Sequence, residues 1–256
     1  MLLTDRTAVV YGAGGAIGGA VARAFAREGA RVHLAGRTRA TLEAVARDIE
    51  GAGGQAEPAV VDALDEAAVE KHVAGIGDID VSFNLVTRGD VQGAPLTELS
   101  VDDFLRPVLN GTRSAFLTAR AAGRRMAARG SGVILALNSG SAHGSPMMGG
   151  TGPADAAADA LVRNLATELG PSGVRAVGMW AAGVPETLTR DKLAAVDPAM
   201  AEVDLDAVLA GLAGMRMTRR NPTLAEIAAT AVFLASDRAA GITGTFVNVT
   251  GGMVPR

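Results

Sequence analysis

The chain has 256 residues, of which 48% are hydrophobic, and its formal net charge is -3. This length and apolar content predict one α/β domain with a substantial core and exclude extended disorder. The small net charge gives no support for a nucleic-acid partner. The absence of cysteine excludes disulfides, thiolate metal sites and a cysteine nucleophile.

The histidines and the first residues narrow the class of protein further. His33, His72 and His143 are isolated in the sequence, with no ligand pair at helical spacing, so no metal site is predicted. No apolar run reaches the roughly 18 residues of a membrane span. Charged Asp5 and Arg6 precede any apolar run that could serve as a signal peptide. We therefore expect a soluble cytoplasmic protein with no membrane partner.

A glycine-rich turn near the N-terminus carries the first functional signal. Residues 8–11 predict a buried strand, and a helical pattern of apolar residues follows the turn. Glycines let the backbone approach a pyrophosphate, whose charge then meets the free N–H groups of the helix N-terminus. Glycine also serves tight turns that bind nothing, so the turn needs support from the rest of the chain. The predicted pyrophosphate-binding residues are Gly12, Gly14, Gly15, Ile17 and Gly18.

The end of the second predicted strand, residues 31–35, indicates the cofactor. An acidic residue at this point would bind a ribose 2′-hydroxyl, and the chain has none there. Arg37 offers instead a guanidinium that can pair with a 2′-phosphate, with Thr38 as a second contact. The alternative is a solvated arginine after a strand. Together with the glycine turn, Arg37 favours NADP(H) over NAD(H).

The remaining pattern alternates strands with helices, which predicts a single doubly wound parallel sheet. Further strands are predicted at residues 56–61, 79–85, 133–138, 174–180 and 245–249. Helices are predicted at residues 41–51, 66–74, 101–129 with an interruption at Pro107, 153–169 and 224–235. Residues 188–217 form a helical insertion that we expect to act as a lid over a pocket at the strand ends.

Several segments in the right order resemble the short-chain dehydrogenase/reductase (SDR) family over nearly the whole chain. The turn YGAGGAIG is similar to the family's TGxxxGxG, and the segment FNLV retains only Asn84 of its NNAG. Asp62 with Ala63 resembles the aspartate segment that holds the adenine amino group. The segment GVPET resembles PGxxxT, whose threonine, here Thr187, contacts the nicotinamide amide. The resemblance implies a Rossmann-type sheet of about seven strands, a nicotinamide dinucleotide and a homotetramer or homodimer.

The resemblance fails at the residues that carry the family's chemistry. The family uses a serine, a tyrosine about a dozen residues later and a lysine four residues after that. Ser139 matches the serine, but the tyrosine position falls on Thr151 and the lysine position on Asp155. The asparagine that often completes the set falls on Gly111 or, with a shift, Asn110. The usual proton relay is therefore missing, although a positioned general acid is worth about 10²–10⁴-fold in rate.

Ser139, His143 and Asp155 are the candidates for a substitute chemistry. Ser139 takes its role as oxyanion donor from the family position, and His143 follows in the same loop as a possible proton shuttle. The alternative for His143 is a solvent-exposed loop histidine. The alternative for Asp155 is a first-turn carboxylate that satisfies free N–H groups, because Pro153 is expected to open the helix. No G-x-S-x-G elbow surrounds Ser139 or Ser141, which disfavours a hydrolase.

Three functions remain open at this level. The first is an atypical NADP(H)-dependent oxidoreductase that acts on an unidentified small molecule, with His143 or a water held by Ser139 as the proton source. The second is a non-redox enzyme such as a cyclase, isomerase or dehydratase on the same scaffold. The third is a catalytically silent dinucleotide-binding protein.

Overall fold

A computed structural model describes residues 1–254 and shows one parallel sheet of seven strands in the order β3-β2-β1-β4-β5-β6-β7. The strands are β1 (Thr7–Tyr11), β2 (Arg31–Gly36), β3 (Gln55–Val60), β4 (Val81–Asn84), β5 (Gly132–Asn138), β6 (Val174–Trp180) and β7 (Phe246–Asn248). Every neighbouring pair is parallel. The predicted doubly wound sheet is confirmed.

Helices cover both faces of this sheet. They are α1 (Ala16–Arg27), α2 (Arg39–Gly51), α3 (Glu66–Ile76), α4 (Val101–Arg129), α5 (Thr151–Leu169), α6 (Arg190–Val196), α7 (Leu205–Met215) and α8 (Leu224–Ala235). One core lies between the sheet and α1, α2 and α8, and the other lies beneath α3, α4 and α5. Most residues of the inner strands β1, β2, β4, β5 and β6 are buried, which explains why these strands read as apolar runs, whereas the edge strands β3 and β7 are partly exposed.

Two features of the helices near the site differ from the sequence-based expectation. Helix α4 runs through Pro107 without interruption. Proline removes one backbone hydrogen bond, but this ring is buried on the helix face that approaches Gly150, where packing preserves the helix. Helix α5 begins at Thr151 rather than at Pro153, so Asp155 is the fifth helical residue and lies outside the first turn.

The strand order places a site at one edge of the sheet. The chain moves outward from β1 through β2 to β3, then returns to β4 on the other side of β1. In such sheets a crevice opens beyond the carboxyl ends of the two central strands. No helix within residues 1–254 has the length and apolar character to cross a membrane. In the same span, no three potential ligand side chains come together as a metal site.

Candidate functional site

A cleft of about 450 Å³ opens at the carboxyl ends of β1, β2 and β4. It extends from the loop after β2 to the loop after β4. The predicted cofactor-binding residues that line it are Gly12, Gly14, Gly15, Arg37, Thr38, Asp62 and Ala63.

The turn after β1 requires glycine, because a side chain at either of two positions would clash with the neighbouring backbone. Gly12 has φ +77°, and a Cβ there would lie 2.5 Å from the Leu85 carbonyl oxygen. A Cβ on Gly18 would lie 2.2 Å from the Gly12 oxygen, so Gly18 shapes the turn from beneath. Gly15 caps α1 without a side-chain hydrogen bond, and the first turn of α1 contains no acidic residue. The uncapped N–H groups therefore fit the pyrophosphate of a dinucleotide.

Arg37 is exposed at the end of β2, and its guanidinium makes no hydrogen bond or ion pair within residues 1–254. The carbonyl oxygen of the neighbouring Thr38 accepts a hydrogen bond of 2.9 Å from Thr41 Oγ1. Asp62 Oδ1 accepts from the Leu64 amide at 2.9 Å, which fixes the turn after β3. This end of the cleft thus combines a cation that has no partner within residues 1–254 with an ordered acidic turn.

Besides Gly18, three other predicted cofactor residues do not line this cleft. Asn84 donates to Ser114 Oγ at 3.1 Å and faces a smaller inner cavity between the sheet, α4 and α5. The Thr187 hydroxyl donates to the Val184 carbonyl at 2.7 Å, within a short turn after β6. Ile17 packs against the core beneath α1.

Ser139 and Asp155 are brought together at the end of β5. Asp155 is completely buried, and its Oδ2 accepts from Ser139 Oγ at 2.6 Å and from the Ser139 and Ser141 amides at 3.1 and 2.9 Å. The Ser139 and Ser141 hydroxyls lie 2.7 Å apart. Because Ser139 gives its hydrogen to the carboxylate, Ser141 must be the donor between them. The hydroxyl hydrogen of Ser139 is therefore unavailable to a substrate oxygen.

These contacts correct the first-turn interpretation of Asp155. Its carboxylate accepts no hydrogen bond from the N–H groups of α5 within residues 1–254. It instead orders the loop between β5 and α5 and pairs with Arg88, whose Nη1 lies 2.7 Å from Asp155 Oδ1. The sequence reasoning did not identify Arg88.

Arg88 is the centre of a polar network that also includes the residue at the expected tyrosine position. Its Nη2 donates to Asp90 Oδ1 at 3.0 Å, and the Thr151 hydroxyl donates to the same oxygen at 2.9 Å. Gln92 donates to Thr151 Oγ1 at 3.2 Å. Burial lowers the pKa of Arg88, but the nearby Asp90 and Asp155 outweigh burial and raise it overall. The guanidinium therefore remains charged.

Helix α4 makes room for this arginine at the position expected for the family's asparagine. A Cβ on Gly111 would lie 2.7 Å from Arg88 Cδ. The neighbouring Asn110 donates from Nδ2 to the Arg88 carbonyl oxygen at 3.1 Å. The only sequence signal for this arrangement was the coincidence of an arginine after β4, an aspartate on α5 and a glycine on α4.

His143 lies in a short 3₁₀ turn, residues Ser141–His143, and is exposed. Its ring packs edge-on against Trp180 at the end of β6, with ring centroids 4.9 Å apart. His143 is not among the residues that line the cleft at the carboxyl ends of β1, β2 and β4. A proton shuttle from His143 would have to act on a ligand that extends beyond the cleft toward β6.

The sequence is similar to those of known dehydrogenases and reductases over nearly its whole length. Residues 12–254 match the sequence family described as enoyl-(acyl carrier protein) reductase. The chain is 33% identical to L-rhamnose 1-dehydrogenase (NAD(P)(+)) of Azotobacter vinelandii, over 99% of this chain and 98% of that protein. It is 35% identical to the short-chain reductase protein NovJ of Streptomyces niveus, over 97% of this chain and 94% of that one.

Solved structures extend the comparison to proteins with bound cofactor. NAD⁺-bound xylitol dehydrogenase superimposes with a TM-score of 0.88 at 26% identity, covering 98% of this chain and 100% of that one. A 7α-hydroxysteroid dehydrogenase complexed with NADH and 7-oxo glycochenodeoxycholic acid gives a TM-score of 0.83 at 27% identity, covering 98% and 94%. The chain belongs to the short-chain dehydrogenase/reductase family of oxidoreductases.

Proposed function

We propose that this protein is an NADP(H)-dependent oxidoreductase that acts on a small molecule without the tyrosine–lysine relay of its family. The observation that carries the cofactor assignment is the Arg37 guanidinium, which lies in the cleft at the end of β2 with no partner within residues 1–254, at a point where no carboxylate follows the strand. A related dehydrogenase is named for both NAD⁺ and NADP⁺, which supports a nicotinamide dinucleotide in general. Arg37 supports the 2′-phosphate in particular.

The bound dinucleotide would supply the hydride, and the chain would supply binding, orientation and exclusion of water. The glycine turn holds the pyrophosphate, and Arg37 with Thr38 holds the 2′-phosphate. Neither hydroxyl at the family's serine and tyrosine positions can donate to a substrate, because Ser139 donates to Asp155 and Thr151 to Asp90. Proton delivery is therefore assigned to His143 or to water.

The cofactor proposal is tested by removing the guanidinium. Arg37→Ala should weaken NADPH binding by about 1.5–3 kcal/mol, the range for hydrogen bonds to charged groups, and leave NADH nearly unchanged. Isothermal titration of both cofactors measures the difference. Arg39→Ala is the matched control, because Arg39 is an exposed arginine two residues away, at the start of α2, and it pairs with Glu43. Equal losses for both cofactors, or none, would contradict the 2′-phosphate assignment.

The proposal for the chemistry predicts a restricted reactivity. With NADPH, the protein should reduce simple ketones far more slowly than its relatives, because no phenol protonates the forming alkoxide. Thr151→Ala should change the rate little, whereas any rate that is found should be lowered by His143→Ala, which removes the proton shuttle, and by Ser139→Ala, which removes the oxygen that would hold a water. A broad carbonyl panel measures these rates. Ordinary turnover that persists in the Ser139→Ala/His143→Ala double variant would place the active site elsewhere.

The closed network around Arg88 favours one alternative, a dinucleotide-binding protein that catalyses no hydride transfer. Ser139 already donates to Asp155 and Thr151 to Asp90, and both of these carboxylates accept from Arg88. A non-redox enzyme would use the same pocket for orientation alone. Both alternatives predict that purified protein binds NADPH and leaves its absorbance at 340 nm unchanged with every carbonyl compound. Oxidation of NADPH with a defined product would exclude them.

A further inference from the structure

Arg88 lies where the dinucleotide cleft meets the inner cavity between α4 and α5. It lines both spaces, from the loop after β4. Arg37 lines the same cleft at its opposite end, after β2. The glycine turn after β1 lies between these two arginines, because β1 is the strand between β2 and β4.

This order fixes which part of a dinucleotide would reach Arg88. With the pyrophosphate on the glycine turn and the 2′-phosphate of the adenosine half on Arg37, the other nucleoside must extend toward β4 and β5. Arg88 lies in that direction and is mostly buried, with its side chain 19% exposed. The ribose of that second nucleoside is therefore the part of the cofactor nearest to Arg88.

The guanidinium has donors to spare at this point. An arginine carries five N–H groups. The bonds to Asp155 and Asp90 are the two that its guanidinium makes within residues 1–254. Its position is fixed by these two carboxylates and by the fit of its stem against Gly111. Such fixed donors lose little entropy when they bind a ligand.

The local charge indicates the chemistry of the ligand group. One guanidinium faces two carboxylates, Asp90 and Asp155, so the cluster carries a net negative charge. A further anion would be repelled by the carboxylates, whereas a neutral oxygen can accept from the free N–H groups. Ribose hydroxyls are neutral acceptors of this kind, and they can also donate to the carboxylate oxygens.

We propose that Arg88 binds the hydroxyl groups of the nicotinamide-side ribose, and that Asp155 is a positioning residue that holds the guanidinium in place. This inference rests on the proposed function, since it assumes a dinucleotide in the cleft. It assigns to the loop after β4 a cation that this chain lacks at position 155 of α5, where Asp155 stands at the expected lysine position. Gly111 belongs to the same arrangement, because any larger residue there would displace the arginine stem.

The experiment compares a whole cofactor with its adenosine half. Isothermal titration with NADP⁺ and with 2′,5′-ADP, which lacks the nicotinamide nucleoside, is carried out on wild type and on Arg88 variants. Arg88→Gln leaves Asp155 buried without its partner and can fail to fold, so Arg88→Gln/Asp155→Asn is measured as well. The double variant should bind NADP⁺ about 10- to 100-fold more weakly and 2′,5′-ADP with unchanged Kd. Arg88→Lys should recover part of the NADP⁺ affinity.

Two controls separate this role from a purely structural one. Arg106→Gln changes a neighbouring arginine that packs against Gly89 but does not line the cleft, and it should leave both Kd values unchanged. Asp155→Asn should weaken NADP⁺ binding in the wild-type background and add nothing in the Arg88→Gln background, because it acts through Arg88. A parallel titration with NAD⁺ and ADP makes the same comparison between a whole cofactor and its adenosine half. It serves if the protein binds the cofactor without the 2′-phosphate more tightly.

The outcomes distinguish this inference from the proposed function. A wild type that binds neither dinucleotide would overturn the proposed function and this inference with it. A wild type that binds NADP⁺, with folded Arg88 variants of equal affinity, would overturn only the role of Arg88. Equal losses for NADP⁺ and 2′,5′-ADP would also overturn that role, because the effect would then come from distortion of the whole cleft.

Discussion

At the scale of single residues, the polar group least satisfied by its surroundings is His72 on α3. Both of its ring nitrogens are buried without a hydrogen-bond partner within residues 1–254, and the same holds for the Tyr11 hydroxyl. The Tyr11 and His33 rings pack edge-on against His72 at centroid distances of 6.0 and 6.4 Å. Burial, together with the charge of His33, lowers the pKa of His72 to about 4. Burial and the charge of Glu70 raise the pKa of Tyr11.

This histidine predicts a pH dependence of stability. The unfolded chain takes up a proton on His72 near pH 6.5, while the folded chain does so only near pH 4. The free energy of unfolding should therefore fall as the pH drops from 6.5 to 4, with no contribution from this group above pH 7. Urea titrations of wild type and His72→Gln should give a shallower fall for the variant. Lys71→Gln, the exposed neighbour, is the control. An unchanged slope in His72→Gln would contradict the prediction.

At the scale of elements, the insertion at residues 188–217 is anchored at its C-terminal end. It contains α6 and α7, and its next-to-last residue is Arg216, which is 1% exposed. The Arg216 guanidinium donates to the carbonyl oxygens of Ala182, Gly183 and Thr250, and burial lowers its pKa. These bonds join the insertion to the loop after β6 and to the C-terminal segment. The predicted lid would therefore move about a fixed C-terminal anchor.

At the scale of the whole molecule, α4 presents an apolar stripe to solvent. Val101 and Leu109 on this helix are 71% and 61% exposed, and Leu105 and Phe116 are exposed in part. These residues recur at helical spacing, so they form one face. Exposed apolar faces of this kind are typical of interfaces.

We expect this face to pair with another copy of the chain, as in the predicted homodimer or homotetramer. Light scattering on purified protein should give two or four times the mass of one chain. Leu109→Glu should shift the mass toward the monomer, because it places a charge in the middle of the face. Val60→Glu, an exposed apolar residue on the edge strand β3, is the control. A monomeric wild type at micromolar concentration would contradict the prediction.

The sequence by itself determined the sheet and the glycine turn that lines the cleft. Strand runs and the glycine turn are local patterns, since burial on both faces selects continuous apolar residues and close backbone approach selects glycine. The place of Arg37 in the cleft was predictable as well, because Arg37 directly follows the last residue of β2. The sequence also led us to expect Thr151 and Asp155 at the family's tyrosine and lysine positions.

Only the tertiary structure decided which contacts Thr151 and Asp155 make. Arg88 and Asp155 are 67 residues apart, and they meet because β4 and β5 are neighbours whose following segments converge. The direction of the Ser139 hydrogen depends on that same carboxylate, so the predicted oxyanion role could not be judged from the loop alone. Helix α4 continues through Pro107 because of its packing partners, which no local pattern encodes. Pairings over such separations are set by topology, and topology is a property of the whole chain.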